Sequence, residues 1–408
     1  MDFKDFSKTV QIRIVLKFFT VVTNTAVLPF IVLFFANEIG AVKVTFLTLL
    51  IGAVTFVGSA IGGRLADLKG RKFTILLGEM GATIGFILLC FGQVYSEYMI
   101  LLSIVAFFIT NFFTAIVLPG YSAIILDETT VENRKFVYIY SMWTSYLGFA
   151  IGSTIGGLLF ASHKLLLFNF IVLTSVVTII VIFFFIPETI QKMQIIKEPQ
   201  TVQTQPGESL FKIIWKEKIL CSLLLLGFIF QLMDNQIGYY LALRFYDLFG
   251  EASYSLLGFL RTENTIIAVI FLLFVKKLLK HLNEMTIAFY GLIILFGGYI
   301  CLSMFEQMSL LYVAMFIASV GEITLFPALQ GLSANYIPVM YRGRYSSLAN
   351  NLGMLGGLLA VTFMLLQPIV SPIVITGIYG VTGLIAFFAI VHIKREVSVK
   401  KQKMIIDV

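Results

Sequence analysis

The sequence predicts an all-α, polytopic membrane protein with twelve transmembrane helices in two pseudo-symmetric six-helix bundles. Three observations carry this. Hydrophobic residues make up 59% of the 408-residue chain and charged residues only 12%, with a mean hydropathy of +0.96; a soluble domain carries roughly 25% charged residues. Apolar runs long enough to cross the hydrocarbon core, about 20 residues, recur along the whole chain. The basic residues also segregate between alternate loops. Lipid is therefore the main solvent for this chain, and a soluble multi-domain arrangement is excluded.

The runs fall near 12–36, 44–66, 73–93, 98–126, 136–161, 165–187, 218–246, 253–276, 284–304, 308–335, 345–367 and 373–393. A transmembrane β-strand would show ~10-residue segments of alternating hydrophobicity. Runs such as Phe168–Ile186 show no alternation, so a barrel is excluded. The charged start, Met1 to Lys17, leads into a run longer than a signal h-region with no small-residue cleavage site, so no processing is expected. With both termini taken as cytoplasmic, 25 of the 29 Lys and Arg residues fall inside and only Lys43 and Lys164 outside. This positive-inside bias predicts a multi-pass protein of the cell membrane with both termini cytoplasmic. The cytoplasmic leaflet accounts for the net charge of +7, so no nucleic-acid partner is implied.

One segment breaks the rhythm of short loops. Glu188 to Glu217 is polar and contains Pro199, Pro206 and Gly207. It divides the chain into an N-terminal bundle (1–187), a cytoplasmic linker (188–217), a C-terminal bundle (218–393) and a cytoplasmic tail (394–408). The halves echo each other. Pro119 precedes Arg134 by 15 residues, and Pro327 precedes Arg342 by 15. A glycine-rich span follows each arginine: Gly148, Gly152, Gly156 and Gly157 in one, Gly353, Gly356 and Gly357 in the other. Matching features in corresponding spans are the mark of an internal repeat around a central site.

Several function classes drop out. Cys90, Cys221 and Cys301 lie in or beside apolar runs, and His163, His281 and His392 at span ends, which fits neither a disulfide framework nor a metal or haem site. No convergent nucleophile or metal cluster stands out, so the chain is not expected to be an enzyme or to hold a cofactor or metal. No G-x-x-x-x-G-K-[ST] phosphate loop occurs. Any transport must draw on an ion or substrate gradient.

The most specific motif joins the second and third spans: Gly-Arg-Leu-Ala-Asp-Leu-Lys-Gly-Arg-Lys, residues 63–72. Gly63 and Gly70 allow a tight turn and close helix ends. Asp67 can cap or pair across those ends, and Arg71 and Lys72 anchor the loop at the anionic leaflet. This loop resembles the signature G-x-L-x-D-R-x-G-R-K of the major facilitator superfamily, with Leu68 at the usual basic position. The resemblance extends over the whole chain. It takes in Pro187-Glu188-Thr189 after the sixth span, Arg342-Gly343-Arg344-Tyr345 entering the eleventh, and the central linker. It implies a gating role for Gly63, Asp67, Gly70 and Arg71. The fifth span, Gly148 to Gly157, resembles the antiporter motif G-x-x-x-G-P-x-x-G-G, with Ser153 in place of its proline; small residues at this spacing equally allow close helix packing.

Asp127-Glu128, Gln231 to Asn235, Gly258 to Asn264 and Gly321 to Pro327 together resemble the proton-driven multidrug antiporters of the LmrP type, although Ser141 stands where those proteins can carry an acid. The resemblance implies a secondary active transporter. It would export amphipathic or cationic small molecules in exchange for protons by alternating access, acting as a monomer among membrane lipids. A lipid-like flippase or a solute symporter of the same fold is the alternative.

Ionisable residues within spans are expensive and therefore functional candidates. The deepest in the sequence are Asp234, Arg261, Glu263 and Glu322, all in the C-terminal half. A carboxyl in low dielectric can take up and release a proton near physiological pH, so Glu322, Asp234 and Glu263 are candidates for proton coupling or substrate binding. The structural alternative is a salt bridge from Arg261 to Asp234 or Glu322. Gly321 and Pro327 predict a local helix break beside Glu322. Glu79 is expected about one turn inside the third span, paired with a cytoplasmic base, and Arg13 and Lys17 are expected to snorkel to the inner interface. Aromatic cavity candidates are Tyr140, Trp143, Tyr146, Tyr239, Tyr240 and Phe326, whose faces can hold apolar or cationic groups. Asn24, Asn111, Gln236, Asn350 and Asn351 could line the same space.

Overall fold

The computed structural model describes residues 3–129, 131–189, 218–278, 284–336 and 342–406. These residues form helices and no strand. In lipid, a helix is the open-ended element that satisfies all its own backbone groups. The helices are α1 (Lys8–Ile39), α2 (Ala41–Leu68), α3 (Arg71–Val94), α4 (Met99–Asp127), α5 (Val131–Leu159) and α6 (Lys164–Phe185). After the linker come α7 (Lys218–Asp234), α8 (Tyr240–Phe249), α9 (Ala252–Leu278), α10 (Glu284–Met304), α11 (Met308–Tyr336), α12 (Arg342–Leu366) and α13 (Pro372–Ile406). With α7 and α8 as one interrupted span, they make the twelve spans the sequence predicts. Among the described residues, ten elements are long and apolar enough to cross a membrane by length and composition. The other two are α5, with its small-residue seam, and α9, which carries Arg261 and Glu263.

Local chemistry sets the boundaries. Ser7 caps α1 by accepting from the Val10 amide at 3.3 Å. Phe183, Phe184 and Phe185 of α6 are exposed, as lipid-facing residues must be, while Ile75, Leu89, Ile124 and Ile171 are fully buried. Leu16, Ile75, Val117, Tyr121, Ile124, Ile182 and Ile186 form one core cluster that joins α1, α3, α4 and the end of α6.

The internal repeat appears in the packing. α1 packs on α5 and α6, and α3 on α4 and α6; correspondingly, α7 packs on α12 and α13, and α10 on α11 and α13. The glycine seam of α5 is a packing surface: a side chain at Gly152 or Gly156 would run into the α1 backbone at Val22 and Ala26. Gly356 of α12 meets the α7 backbone at Phe228 in the same way. By contact grouping, the described residues fall into two units. One holds the residues up to 189 with Tyr254–Thr262, and the other holds 218–253 with the residues from Glu263 onward.

One expectation needs correction. The break predicted in the tenth span is absent: α11 runs unbroken from Met308 to Tyr336 with Pro327 inside it. Gly321 serves packing, because a Cβ there would collide with the α10 backbone at Leu295. The break lies in the seventh span, where Asn235–Gly238 form a 3-10 turn. Asn235 donates to the Gln231 carbonyl at 2.8 Å and Gln236 to the Leu232 carbonyl at 3.3 Å. These side chains bond carbonyls of the preceding turn, competing with the backbone amides where the α-helix ends.

Candidate functional site

The signature loop is assembled around one glycine. Gly70 sits at φ +108°, a backbone conformation open chiefly to glycine. It also leaves room for Glu188, whose carboxylate a methyl group at Gly70 would strike. Glu188 accepts from the Arg71 amide at 2.8 Å and the Lys72 amide at 3.0 Å. A carboxylate from beyond α6 thus caps α3, where the helix dipole favours negative charge. The Arg71 side chain is buried, donates to the Ala66 carbonyl, and places Nε 3.4 Å from Asp127 Oδ2. Thr189 Oγ1 donates to the same Asp127 oxygen at 2.8 Å, and Lys72 Nζ donates to the Phe183 carbonyl at 2.7 Å. The ends of α2, α3, α4 and α6 are tied into one network. Gly63 is half-buried and faces open space. The side chains of Asp67, Arg134, Arg342 and Arg344 lie outside the described residues.

The first unit also holds a partly open, mainly apolar cavity of about 190 Å³ with charged groups in its wall. Arg13, Lys17 and Asn24 of α1, Glu79 of α3, Tyr121 of α4 and Ser175 of α6 line it, with Phe86, Val117 and Ile171 as apolar wall. Tyr121 donates its hydroxyl to Glu79 Oε1 at 2.8 Å. The Arg13 guanidinium lies over the Tyr121 ring, 3.3 Å from its centroid. Lys17 donates to Ser141 Oγ at 2.6 Å and to the Ser141 carbonyl at 3.1 Å. Three sequence expectations change here. Arg13 and Lys17 turn into the bundle instead of snorkelling outward. Glu79 stands eight residues into α3, 8% exposed, and is held by Tyr121. Buried charge is therefore not confined to the C-terminal half. The available signal was the helical register: Arg13 and Lys17 are four residues apart on one face of α1.

In the second unit the structure brings Glu322 and Asp234 together. Asn264 of α9 donates to Glu322 Oε2 at 2.8 Å and to Ser319 Oγ at 3.0 Å. Asp234, the last residue of α7 before the 3-10 turn, lies within electrostatic reach of Glu322. Glu263 precedes Asn264 on α9; its Oε2 is buried with no hydrogen-bond partner among the described residues. Arg261 falls in the segment Tyr254–Thr262 that groups with the first unit.

The aromatic candidates scatter. Tyr140 packs against Phe6 and Phe3 at centroid distances of 5.5 and 5.8 Å. Trp143 and Phe326 are each 45% exposed, and Phe326 stacks on Phe230 at 5.2 Å. Tyr146 is half-buried on α5, and Tyr239 occupies the position just before α8. Tyr240 is buried edge-on to Tyr379, whose hydroxyl donates to Gln236 at 3.1 Å. That cluster anchors the interrupted span to α13. Asn24 lines the cavity of the first unit, whereas Asn111 donates to its own helix at Phe107. The aromatic wall of the cavity comes from Phe86 and Tyr121, neither of which stands out in the sequence.

Repeated bundles of membrane-length helices, with charged side chains among them, make this a multi-pass membrane protein. The chain belongs to the Major Facilitator Superfamily, whose family model matches residues 14–361. A Na(+), Li(+), K(+)/H(+) antiporter of Planococcus maritimus is 24% identical over 387 residues, covering 88% of this chain and 89% of that protein. Multidrug resistance protein 1 of Bacillus subtilis (strain 168) is 31% identical over 112 residues, 28% of each chain. Among solved structures, a D-xylose-proton symporter superposes with a TM-score of 0.71 at 13% identity, covering 94% of this chain and 96% of that one. The last likeness is one of fold.

Proposed function

We propose that this transporter exports amphipathic, positively charged small molecules in exchange for protons, by alternating access and as a monomer in the cell membrane. The observation that carries the reading is the acid pair of the second unit, Glu322 held by Asn264 and within electrostatic reach of Asp234. An acid within an apolar span must be paired or protonated during the cycle, and an acid that alternates can carry the exchanged proton. The partial likeness to a multidrug resistance protein supports an amphipathic substrate. The resemblance around residues 63–72 supports gating at Asp67, Gly70 and Arg71. Monovalent-cation/proton exchange is the second reading, favoured by the Planococcus maritimus relative that aligns over most of both chains.

Proteoliposomes carrying a trapped pH dye separate the two. Tetraphenylphosphonium should move protons under the first reading, and Na⁺ or K⁺ under the second; if neither does, proton exchange is wrong. Glu322→Gln keeps shape and hydrogen-bonding capacity but cannot titrate. It should lose gradient-driven accumulation while retaining downhill exchange. Full accumulation by Glu322→Gln places the coupling acid elsewhere, with Asp234→Asn the next variant to measure. If Glu322 only partners Arg261, Glu322→Gln should misfold and Arg261→Gln should partly restore it.

A further inference from the structure

The cavity of the first unit holds two cations and one acid. Arg13 and Lys17 stand one turn apart on α1 and line the same wall. Among the described residues, no carboxylate comes within ion-pair distance of either. Glu79 is within electrostatic reach of Arg13, but its carboxylate is held by the Tyr121 hydroxyl. Arginine presents five N–H donors in a rigid fork and stays charged. Here one face of that fork rests on the Tyr121 ring, and the buried Nε has no acceptor among the described residues. A buried charged donor without an acceptor is costly. A ligand carboxylate, docking on the two Nη groups of the fork through parallel N–H···O bonds, supplies the counter-charge that the protein does not.

The remaining wall says what the carboxylate is attached to. Phe86 and Ile171 are buried apolar side chains facing the same space. An apolar cavity of roughly 150 Å³ accepts benzene, so the 190 Å³ here suits a ring or short branched chain bearing one acid group. We propose that this cavity binds the carboxylate of a small amphipathic acid. Arg13 clamps the carboxylate, Lys17 adds a second positive charge, and Phe86 and Ile171 cover the apolar part. Glu79 opposes the ligand's charge and sets how tightly it is held.

The inference goes beyond the export reading and does not need it: equilibrium binding requires no proton gradient, so failure here leaves the coupling experiment standing, and the reverse. The experiment is calorimetric titration of the purified full chain in detergent with sodium benzoate and, separately, benzylamine. Benzoate should bind and benzylamine should not. Glu79→Gln keeps an acceptor for Tyr121 but removes the competing charge, so it should tighten benzoate about tenfold, a gain that damage to the fold does not produce. Arg13→Lys keeps the charge but loses the fork, and should weaken benzoate about tenfold. Should Glu79→Gln not fold, Arg13→Lys decides alone. Undetectable benzoate binding, preference for benzylamine, or unchanged affinity in Arg13→Lys overturns the proposal.

Discussion

Replacing Glu188 by alanine tests whether the end of α6 is a working part of the signature loop. Glu188 accepts from the first two amides of α3, at 2.8 and 3.0 Å. Hydrogen bonds to charged groups contribute about 1.5–3 kcal/mol each, but this carboxylate is half-buried and partly screened. Removing a helix cap costs roughly 0.5–2 kcal/mol. We therefore expect Glu188→Ala to cost ~2 kcal/mol, about a 30-fold change in the equilibrium it controls. Glu188→Gln keeps one acceptor oxygen and should lose about half as much. The readouts are the thermal midpoint of the purified protein in detergent and the transport rate in proteoliposomes. Both should fall in the order wild type, Glu188→Gln, Glu188→Ala. A wild-type midpoint together with a wild-type rate in Glu188→Ala would refute the reasoning.

Asp67→Asn should slow transport while leaving membrane levels normal, because Asp67 belongs to the loop whose neighbours Gly70 and Arg71 join the helix-end network; a wild-type rate at equal abundance counts against a gating role. For topology, cysteines at Thr201 and Glu251 should label from opposite sides of the membrane, in a background with Cys90, Cys221 and Cys301 replaced. Labelling of both from outside would overturn the assignment of the linker to the cytoplasm.

The fold was legible because lipid imposes a simple rule: long apolar runs must be helices, and their spacing along the chain marks the spans. The repeat was legible from Pro119 and Pro327, since the α1–α5 and α7–α12 packings correspond. The site was legible only in part. Asp234 and Glu322 stand out as acids in apolar runs, and the structure brings them within electrostatic reach of each other, whereas Asn264, which holds Glu322, was passed over. Arg13, Lys17 and Glu79 were misread because each lies near a span end in the sequence. Distance from a span end does not reveal which way a side chain turns, and Tyr121, the residue that draws Arg13 and Glu79 inward, lies far away on α4. The helix break was misplaced for a related reason. Pro327 is accommodated within α11, whereas Asn235 and Gln236 open the seventh span by bonding carbonyls of their own helix.

The attachment of residues 187–189 also determines where mechanical load enters the first unit. Pro187 has no amide hydrogen with which to extend α6. The next two side chains fasten elsewhere, Glu188 to the start of α3 and Thr189 to Asp127 at the end of α4. A pull transmitted along the chain beyond Thr189 is therefore borne as shear by α3 and α4, and the last turn of α6 is relieved of it.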